Sequence, residues 1–283
     1  MILQAKKSDR MKIGIFDSGF GGLSVLHEAY HRLGATEYLF YADLDHVPYG
    51  LKTSDQIKDY TRHITRFLID KGADAIVIAC NTATAVAVED LRREFSLPIL
   101  GMEPAVKPAV EETSSKKRIL VIATPVTIRE KKLSHLLERV DEDHRVDLLA
   151  MPHLVTFAEN EQFEGPEVDE YIHEQFASFD LSKYQALVLG CTHFNYFKPS
   201  YKKVFGDDIH LIDGNVGTIR HLADVCGLEY NAREAARVSF SDTDSMLHDI
   251  ETQYFVSGNP ITEKNLLNHV LRMHNRLEAV RDL

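Results

Sequence analysis

Two stretches of this chain share one punctuation: Val77-Ile78-Ala79-Cys80-Asn81-Thr82-Ala83-Thr84 and Val188-Leu189-Gly190-Cys191-Thr192-His193. Each is a short apolar run ending in a small residue, then a cysteine, then hydroxyl or amide side chains suited to opening a helix. A fold that contains this pattern twice, 111 residues apart, puts two thiols at one structural address, the C-terminal end of a buried strand. The helix dipole and free backbone N–H groups found there are expected to lower a thiol's pKa. Only three cysteines occur in 283 residues, and two of them in matching frames suggest a pair facing one ligand.

The surrounding chain alternates strand and helix signals. Residues 12–16 read as a buried strand entering Asp17-Ser18-Gly19-Phe20-Gly21-Gly22, a loop whose glycines admit a closely approaching ligand. Those glycines do not fit G-x-G-x-x-G, which argues against a dinucleotide site. Helical spacing follows over 23–33, and a strand over 38–42 runs toward Asp43 and the Pro48-Tyr49-Gly50 turn. Ser54 is expected to cap a helix carrying Ile57, Tyr60, Ile64, Phe67 and Leu68 on one face, with Gly72 as its stop. The strand over 75–79 delivers Cys80, and 81–95 is helical.

Near Glu103-Pro104 the pattern restarts. It runs through a strand over 118–123, Thr124-Pro125 and a charged helix to Arg139, and a strand over 146–149. Val168, Tyr171, Ile172 and Phe176 mark a helix, and 186–189 delivers Cys191. Ile13 to Cys80 spans 67 residues and Ile119 to Cys191 spans 72, a correspondence that suggests two related halves. In the last quarter, a helix through Ile219, Leu222 and Val225 is expected to pack back on the first half. A strand over 254–258 and a terminal helix over 261–280 follow. The expected fold is α/β: two similar domains with mostly parallel sheets flanked by helices, and an active site in the interdomain cleft. The first domain, 1–104 plus 214–283, is discontinuous; the second is 105–213.

Composition sets limits on function. At 44% hydrophobic and 27% charged the chain can bury a large core. A net charge of −11 argues against nucleic acid as the main partner, because phosphate contact needs clustered Lys and Arg. The run Lys116-Lys117-Arg118 precedes a strand and reads as a solvated turn. No apolar run approaches the roughly 18 residues needed to span a bilayer, and Met1 to Lys7 is a polar tail rather than a signal peptide. Three dispersed cysteines form neither C-x-x-C nor a disulfide framework, which suits a reduced, cytoplasmic protein.

Two facing cysteines can form a disulfide, bind metal, act as one nucleophile with a bystander, or exchange protons with a substrate. Compartment disfavours the first. Cys191-Thr192-His193 offers at most two metal ligands and Cys80 has no neighbouring His or Cys, so no metal site is expected. A nucleophile with His193 as its base stays open. An acid/base pair accounts for both thiols and needs no cofactor, one sulfur taking a proton from carbon and the other returning one to the opposite face. Asp17 and His193 are placed to tune them, while Ser18, Asn81, Thr82 and Thr192 suit a carboxylate-bearing ligand at helix N-termini. Blander readings compete: free cysteines are often core, Asn81 and Thr82 can be N-caps, and Asp17 can cap the next helix. Cys226 before Gly227 reads as core, Tyr49-Gly50 as a turn, and most of the 14 histidines as solvated.

Four motifs in order, Ile15-Phe16-Asp17-Ser18-Gly19, Pro48-Tyr49-Gly50, Ala79-Cys80-Asn81-Thr82-Ala83 and Leu189-Gly190-Cys191-Thr192-His193, resemble the glutamate racemases of the aspartate/glutamate racemase superfamily. The similarity runs from about Lys12 to the final helix. It implies cofactor-independent interconversion of L- and D-glutamate, a step that supplies D-glutamate for peptidoglycan and so serves cell-wall biogenesis and cell shape. By that resemblance Cys80 takes the α-proton of D-glutamate and Cys191 that of L-glutamate, with Asp17, His193 and Glu159 assisting. Ser18, Tyr49, Gly50, Asn81, Thr82, Thr124, Thr127 and Thr192 would hold the substrate. The chain departs from the family pattern at Glu130, where serine is usual, at Leu133, where an aromatic is common, and at Asn160-Glu161, where Glu-Gly is usual. The partner is a small molecule, with no membrane; a homodimer is compatible with the reading. Racemisation of aspartate or another amino acid, a ligand-binding or inhibitory role without catalysis, and cysteine-nucleophile hydrolysis or lyase chemistry are the competing functions.

Overall fold

The computed structural model describes residues 10–34, 36–232, 238, 240–248 and 250–283; the polar tail over 1–7 lies outside them. Among the described residues, ten strands fall into two sheets. The strands are β1 (Met11–Asp17), β2 (Thr36–Ala42), β3 (Ala75–Ile78), β4 (Ile99–Gly101), β5 (Arg118–Ala123), β6 (Val146–Ala150), β7 (Tyr184–Gly190), β8 (His210–Asp213), β9 (Thr252–Val256) and β10 (Asn259–Pro260). The sheet orders are β10-β9-β2-β1-β3-β4 and β6-β5-β7-β8. All pairings are parallel except β10 with β9. Stripped of β9 and β10, the first sheet reads 2-1-3-4 and the second 6-5-7-8, the same order shifted by four strands. The repeat that the cysteine spacing hinted at is therefore topological: β3 and β7 occupy equivalent positions, and each releases the chain into a cysteine.

The strands are near-continuous apolar runs because helices cover both faces of each sheet. Side chains alternate along β1, so Ile13 and Ile15 join one core while Phe16 joins another with Ile76 and Ile78. The core containing Ile13 and Ile15 also contains Leu120, Ile122, Leu187 and Leu189, so one apolar cluster runs through both sheets. Full burial of a side chain of this size contributes about 1.5–3 kcal/mol each.

The helices are α1 (Leu23–Arg32), α2 (Ser54–Asp70), α3 (Asn81–Glu94), α4 (Val106–Glu112), α5 (Pro125–Arg129), α6 (Lys131–Val140), α7 (His153–Glu159), α8 (Pro166–Phe176), α9 (Lys198–Phe205), α10 (Asn215–Cys226), α11 (Thr243–His248) and α12 (Lys264–Ala279). Several differ from the sequence reading. The cap of α2 is Thr53, not Ser54; Thr53 and Gln56 form a reciprocal capping box that leaves Ser54 as the first helical residue. The charged helix expected as far as Arg139 is two helices, broken at Glu130, which sits in extended backbone as the cap of the second. The terminal helix starts at Lys264, not 261. α10 does return to the first half, packing on α1 and β4, and Gly227 closes it in the left-handed conformation that favours glycine. Cys226 is half-buried rather than core. Lys116 and Lys117 lie in an exposed turn before β5, as expected, where Lys117 donates to the Ser182 carbonyl at 2.9 Å and Arg118 pairs with Asp147. Among the described residues no helix is long and apolar enough to cross a membrane.

Candidate active site

The loops at the C-terminal ends of β1, β3, β5 and β7 carry Asp17, Cys80, Thr124 and Cys191. Cys80 and Cys191 are both buried, at 6% and 7% exposure. Cys80 is itself the N-cap of α3, its Sγ accepting from the Ala83 N–H at 3.4 Å, so neither Asn81 nor Thr82 is the cap. Cys191 is followed by a 3-10 segment, Thr192–Phe197, rather than by an α-helix, and makes no side-chain cap bond. The two sequence frames match in strand and cysteine and diverge immediately after.

Each sulfur heads a short chain of polar groups. Cys80 Sγ lies 3.9 Å from Ser18 Oγ, and Ser18 donates to Asp17 Oδ1 at 3.2 Å. Cys191 Sγ lies 3.7 Å from His193 Nδ1, and His193 Nε2 lies 2.6 Å from Glu159 Oε1. Thr192 ties the two together by donating to Asp17 Oδ2 at 2.9 Å. The carboxylate on each side is also held by backbone: Gly19 N–H donates to Asp17 at 3.0 Å and Phe20 N–H to Glu159 at 2.7 Å. Asp17 caps no helix: α1 begins at Leu23, and its cap residue is Gly22, with no side-chain cap bond.

The electrostatics reverse one expectation. The Cys80 thiol is pushed up, not down, because burial and then the Asp17 charge outweigh the Ala83 N–H; Cys191 adds to the rise and Ser18 opposes it. One backbone N–H at a helix start cannot replace the water that the fold removes. Asp17 is raised by burial, against the His193 charge and its hydrogen bonds from Gly19 and Thr192. Burial alone would lower His193, yet its contacts with Cys191 and Glu159 hold it well above the ordinary imidazole range. Glu159 Oε1, 2.6 Å from His193 Nε2, is placed to accept a proton carried on that nitrogen. Gly21 N–H donates to the same nitrogen at 3.2 Å when the ring is unprotonated there.

Close approach explains two of the loop glycines. A Cβ on Gly21 would collide with the His193 ring, and one on Gly19 with the Glu159 carboxylate. The departure at Asn160-Glu161 also has a structural reason. Glu161 takes the left-handed backbone, φ 57°, where the family's usual glycine is unstrained. Its carboxylate is fastened to α12 by His269 Nδ1 at 2.6 Å and Arg272 Nε at 2.5 Å, so the end of the Glu159 helix is clamped by ion pairs.

The remaining candidates fall into two groups. Thr82 Oγ1 meets Thr124 Oγ1 at 2.8 Å and Thr127 Oγ1 at 3.2 Å, a hydroxyl trio bridging α3 and α5, and Gly50 packs so closely on Thr124 that a Cβ there would lie only 3.2 Å from the Thr124 Cβ. Tyr49 is buried near Cys80, but its hydroxyl donates to Asp43 at 2.6 Å and is already used. Asn81 is the opposite case: 4% exposed, with neither amide atom hydrogen-bonded. A buried amide without partners costs about 1–3 kcal/mol, which a polar ligand would recover.

Sequence reasoning missed a further cluster behind α1. His27, His31 and Glu278 bring their side-chain donors together, with His274 beside them. The His-x-x-x-His spacing of 27 and 31 was a visible signal, but its third member lies 247 residues downstream of His31.

Comparison with known proteins bears on what this arrangement does. The family described as Asp/Glu/Hydantoin racemase matches residues 23–222. The chain is 54% identical over 245 residues to the glutamate racemase of Campylobacter curvus, covering 84% of this chain and 92% of that one. In three dimensions it resembles the glutamate racemase of Campylobacter jejuni, with TM-score 0.75, 29% identity, and 94% and 98% of the two chains covered. It also resembles that of Francisella tularensis in complex with D-glutamate, with TM-score 0.72, 26% identity, and 93% and 94% covered.

Proposed function

The chain belongs to the Asp/Glu/hydantoin racemase family and is an isomerase, and we propose that it interconverts L- and D-glutamate by a two-thiol mechanism without cofactor. The observation that carries this reading is the pair of polar chains, Cys80–Ser18–Asp17 and Cys191–His193–Glu159, joined at Asp17 by Thr192. A racemase needs a proton acceptor on one face of the α-carbon and a donor on the other, and needs to refill both after turnover.

With D-glutamate, Cys80 passes its proton through Ser18 toward Asp17, whose raised carboxyl can hold one, and the thiolate takes the α-proton. Cys191 then delivers a proton to the other face, drawing on the His193 imidazolium, whose charge Glu159 balances. L-glutamate reverses each step. The unpartnered Asn81 amide and the Thr82–Thr124–Thr127 hydroxyls suit the substrate's carboxylates and ammonium group. The relatives' names, and D-glutamate in the Francisella tularensis structure, favour glutamate over aspartate. A division into 1–104 plus 214–283 and 105–213 is supported by the membership of the two sheets, and puts the polar chains between the domains. The product D-glutamate would serve peptidoglycan synthesis, and three free cysteines suit a cytoplasmic setting.

The test is a circular-dichroism time course with each glutamate enantiomer and, in parallel, with aspartate, without pyridoxal phosphate. Both glutamate signals should decay to zero at matched kcat/KM; an inert folded protein, or one faster on aspartate, would overturn the proposal.

A further inference from the structure

Where α12 packs on α1, three imidazoles and a carboxylate come together. His27, His31 and His274 are 3%, 1% and 1% exposed. His27 Nε2 and His31 Nε2 lie 2.9 Å and 3.0 Å from the same oxygen, Glu278 Oε2, and 3.4 Å from each other. We propose that His27 Nε2, His31 Nε2 and Glu278 Oε2 bind one divalent ion of the zinc class, which fastens α12 to α1.

The donor triangle supports this assignment. A tetrahedral ion about 2.0–2.1 Å from each ligand sets donors roughly 3.3–3.4 Å apart. The imidazole pair already stands at 3.4 Å, and the two carboxylate edges need to open by only a few tenths of an ångström. Histidines at i and i+4 share one helix face, so α1 alone presents both nitrogens in one direction. Two imidazoles with one carboxylate select zinc, cobalt or nickel over the oxygen-seeking magnesium and calcium.

The surroundings of His27 support it as well, whereas the Nδ1 of His31 is buried without a hydrogen-bond partner. A ligating histidine is oriented by what its other nitrogen donates to. Here His27 Nδ1 lies 3.2 Å from His274 Nδ1, His274 Nε2 3.3 Å from the Tyr254 hydroxyl, and that hydroxyl 2.9 Å from Tyr30, which meets Thr252 at 2.8 Å. With the ion on His27 Nε2, every proton in this line has an acceptor, running from His27 to Thr252. A cavity of about 150 Å³ lined in part by His27, Leu277 and Arg281 adjoins the His27 side of the triangle. The same groups can instead share protons alone, and the experiment separates the two.

The full chain, stripped with chelator and dialysed, is titrated with Co²⁺ and then Zn²⁺. The expected result is uptake of one Co²⁺ with the visible absorption of a tetrahedral site and no near-ultraviolet thiolate band. Zn²⁺ should displace it and raise Tm by about 5 °C or more at 100-fold excess over Kd. Glu278→Gln and His31→Ala should each weaken binding at least about 100-fold. The double variant Cys80→Ser, Cys191→Ser should bind as the parent does, which excludes the thiols as the site. If His31→Ala does not fold, Glu278→Gln carries the comparison. Absence of uptake, uptake undiminished in Glu278→Gln, or uptake lost with the two cysteines would overturn the proposal.

Discussion

Replacing Glu159 by glutamine keeps the shape of the side chain and removes the charge that His193 leans on. The carbonyl of glutamine can still accept from Phe20 N–H, so the loop contact at 2.7 Å is retained. What is lost is the carboxylate charge in a buried bond at 2.6 Å between Glu159 and His193 Nε2. Such a bond contributes about 1.5–3 kcal/mol, which corresponds to roughly a 10- to 150-fold fall in rate if all of it is realised in the transition state. The loss must appear equally in both directions. Enantiomers have equal free energy in water, so kcat/KM for L- and D-glutamate stay equal in any variant. The asymmetry shows instead in isotope effects. With Cys191 chemistry slowed, α-deuterated L-glutamate should show the larger increase in primary isotope effect. The assay is polarimetric turnover of both enantiomers, protiated and deuterated, with Tm as a control. A change in kcat/KM below about threefold, or isotope effects that rise equally, would refute the placement of Glu159 behind Cys191.

Three further outcomes follow from the same geometry. Asn81→Ala should raise KM for glutamate while leaving Tm unchanged or higher, because the amide it removes has no partner to lose; a lower Tm would contradict this. Gly21→Ala should cut kcat at least about 100-fold with the helical circular-dichroism signal intact, since the new methyl displaces the His193 ring. Stability should fall as pH rises above about 9. The folded protein holds the Cys80 proton more tightly than the unfolded chain, whose thiol ionises near 8.5, so the contribution is complete below that value and lost above it. Each such group changes stability by up to about 1.4 kcal/mol per pH unit, and Cys80→Ser should flatten the alkaline slope of Tm between pH 8 and 10.

The sequence carried the parts of this molecule that depend on local pattern. Apolar runs ending in Ala79-Cys80 and Gly190-Cys191 identified the strands that deliver the thiols, and their spacing foretold two sheets of one topology. Local competition was less legible. Ser54 and Thr53 are both good caps, and only the reach of Gln56 back to Thr53 decides between them. A break at Glu130 leaves helical periodicity on either side almost intact. Solvation was not legible at all. The helix start beside Cys80 was visible, but the burial that overrides it comes from side chains scattered across the chain. The same distance hid Glu278 from His27 and His31, and hid the reason why Glu161 stands in a glycine's backbone, which is its grip on His269 and Arg272.

The central claim is that two sulfurs act on opposite faces of one α-carbon, and initial-rate turnover in D₂O tests it most directly. Starting from protiated L-glutamate, the first D-glutamate formed should carry deuterium at the α-position while recovered L-glutamate stays protiated, because the group that removes the proton is not the group that delivers its replacement. Recovered substrate that fills with deuterium as fast as product appears, or product that keeps the original proton, would mean one base serving both faces and would contradict the account.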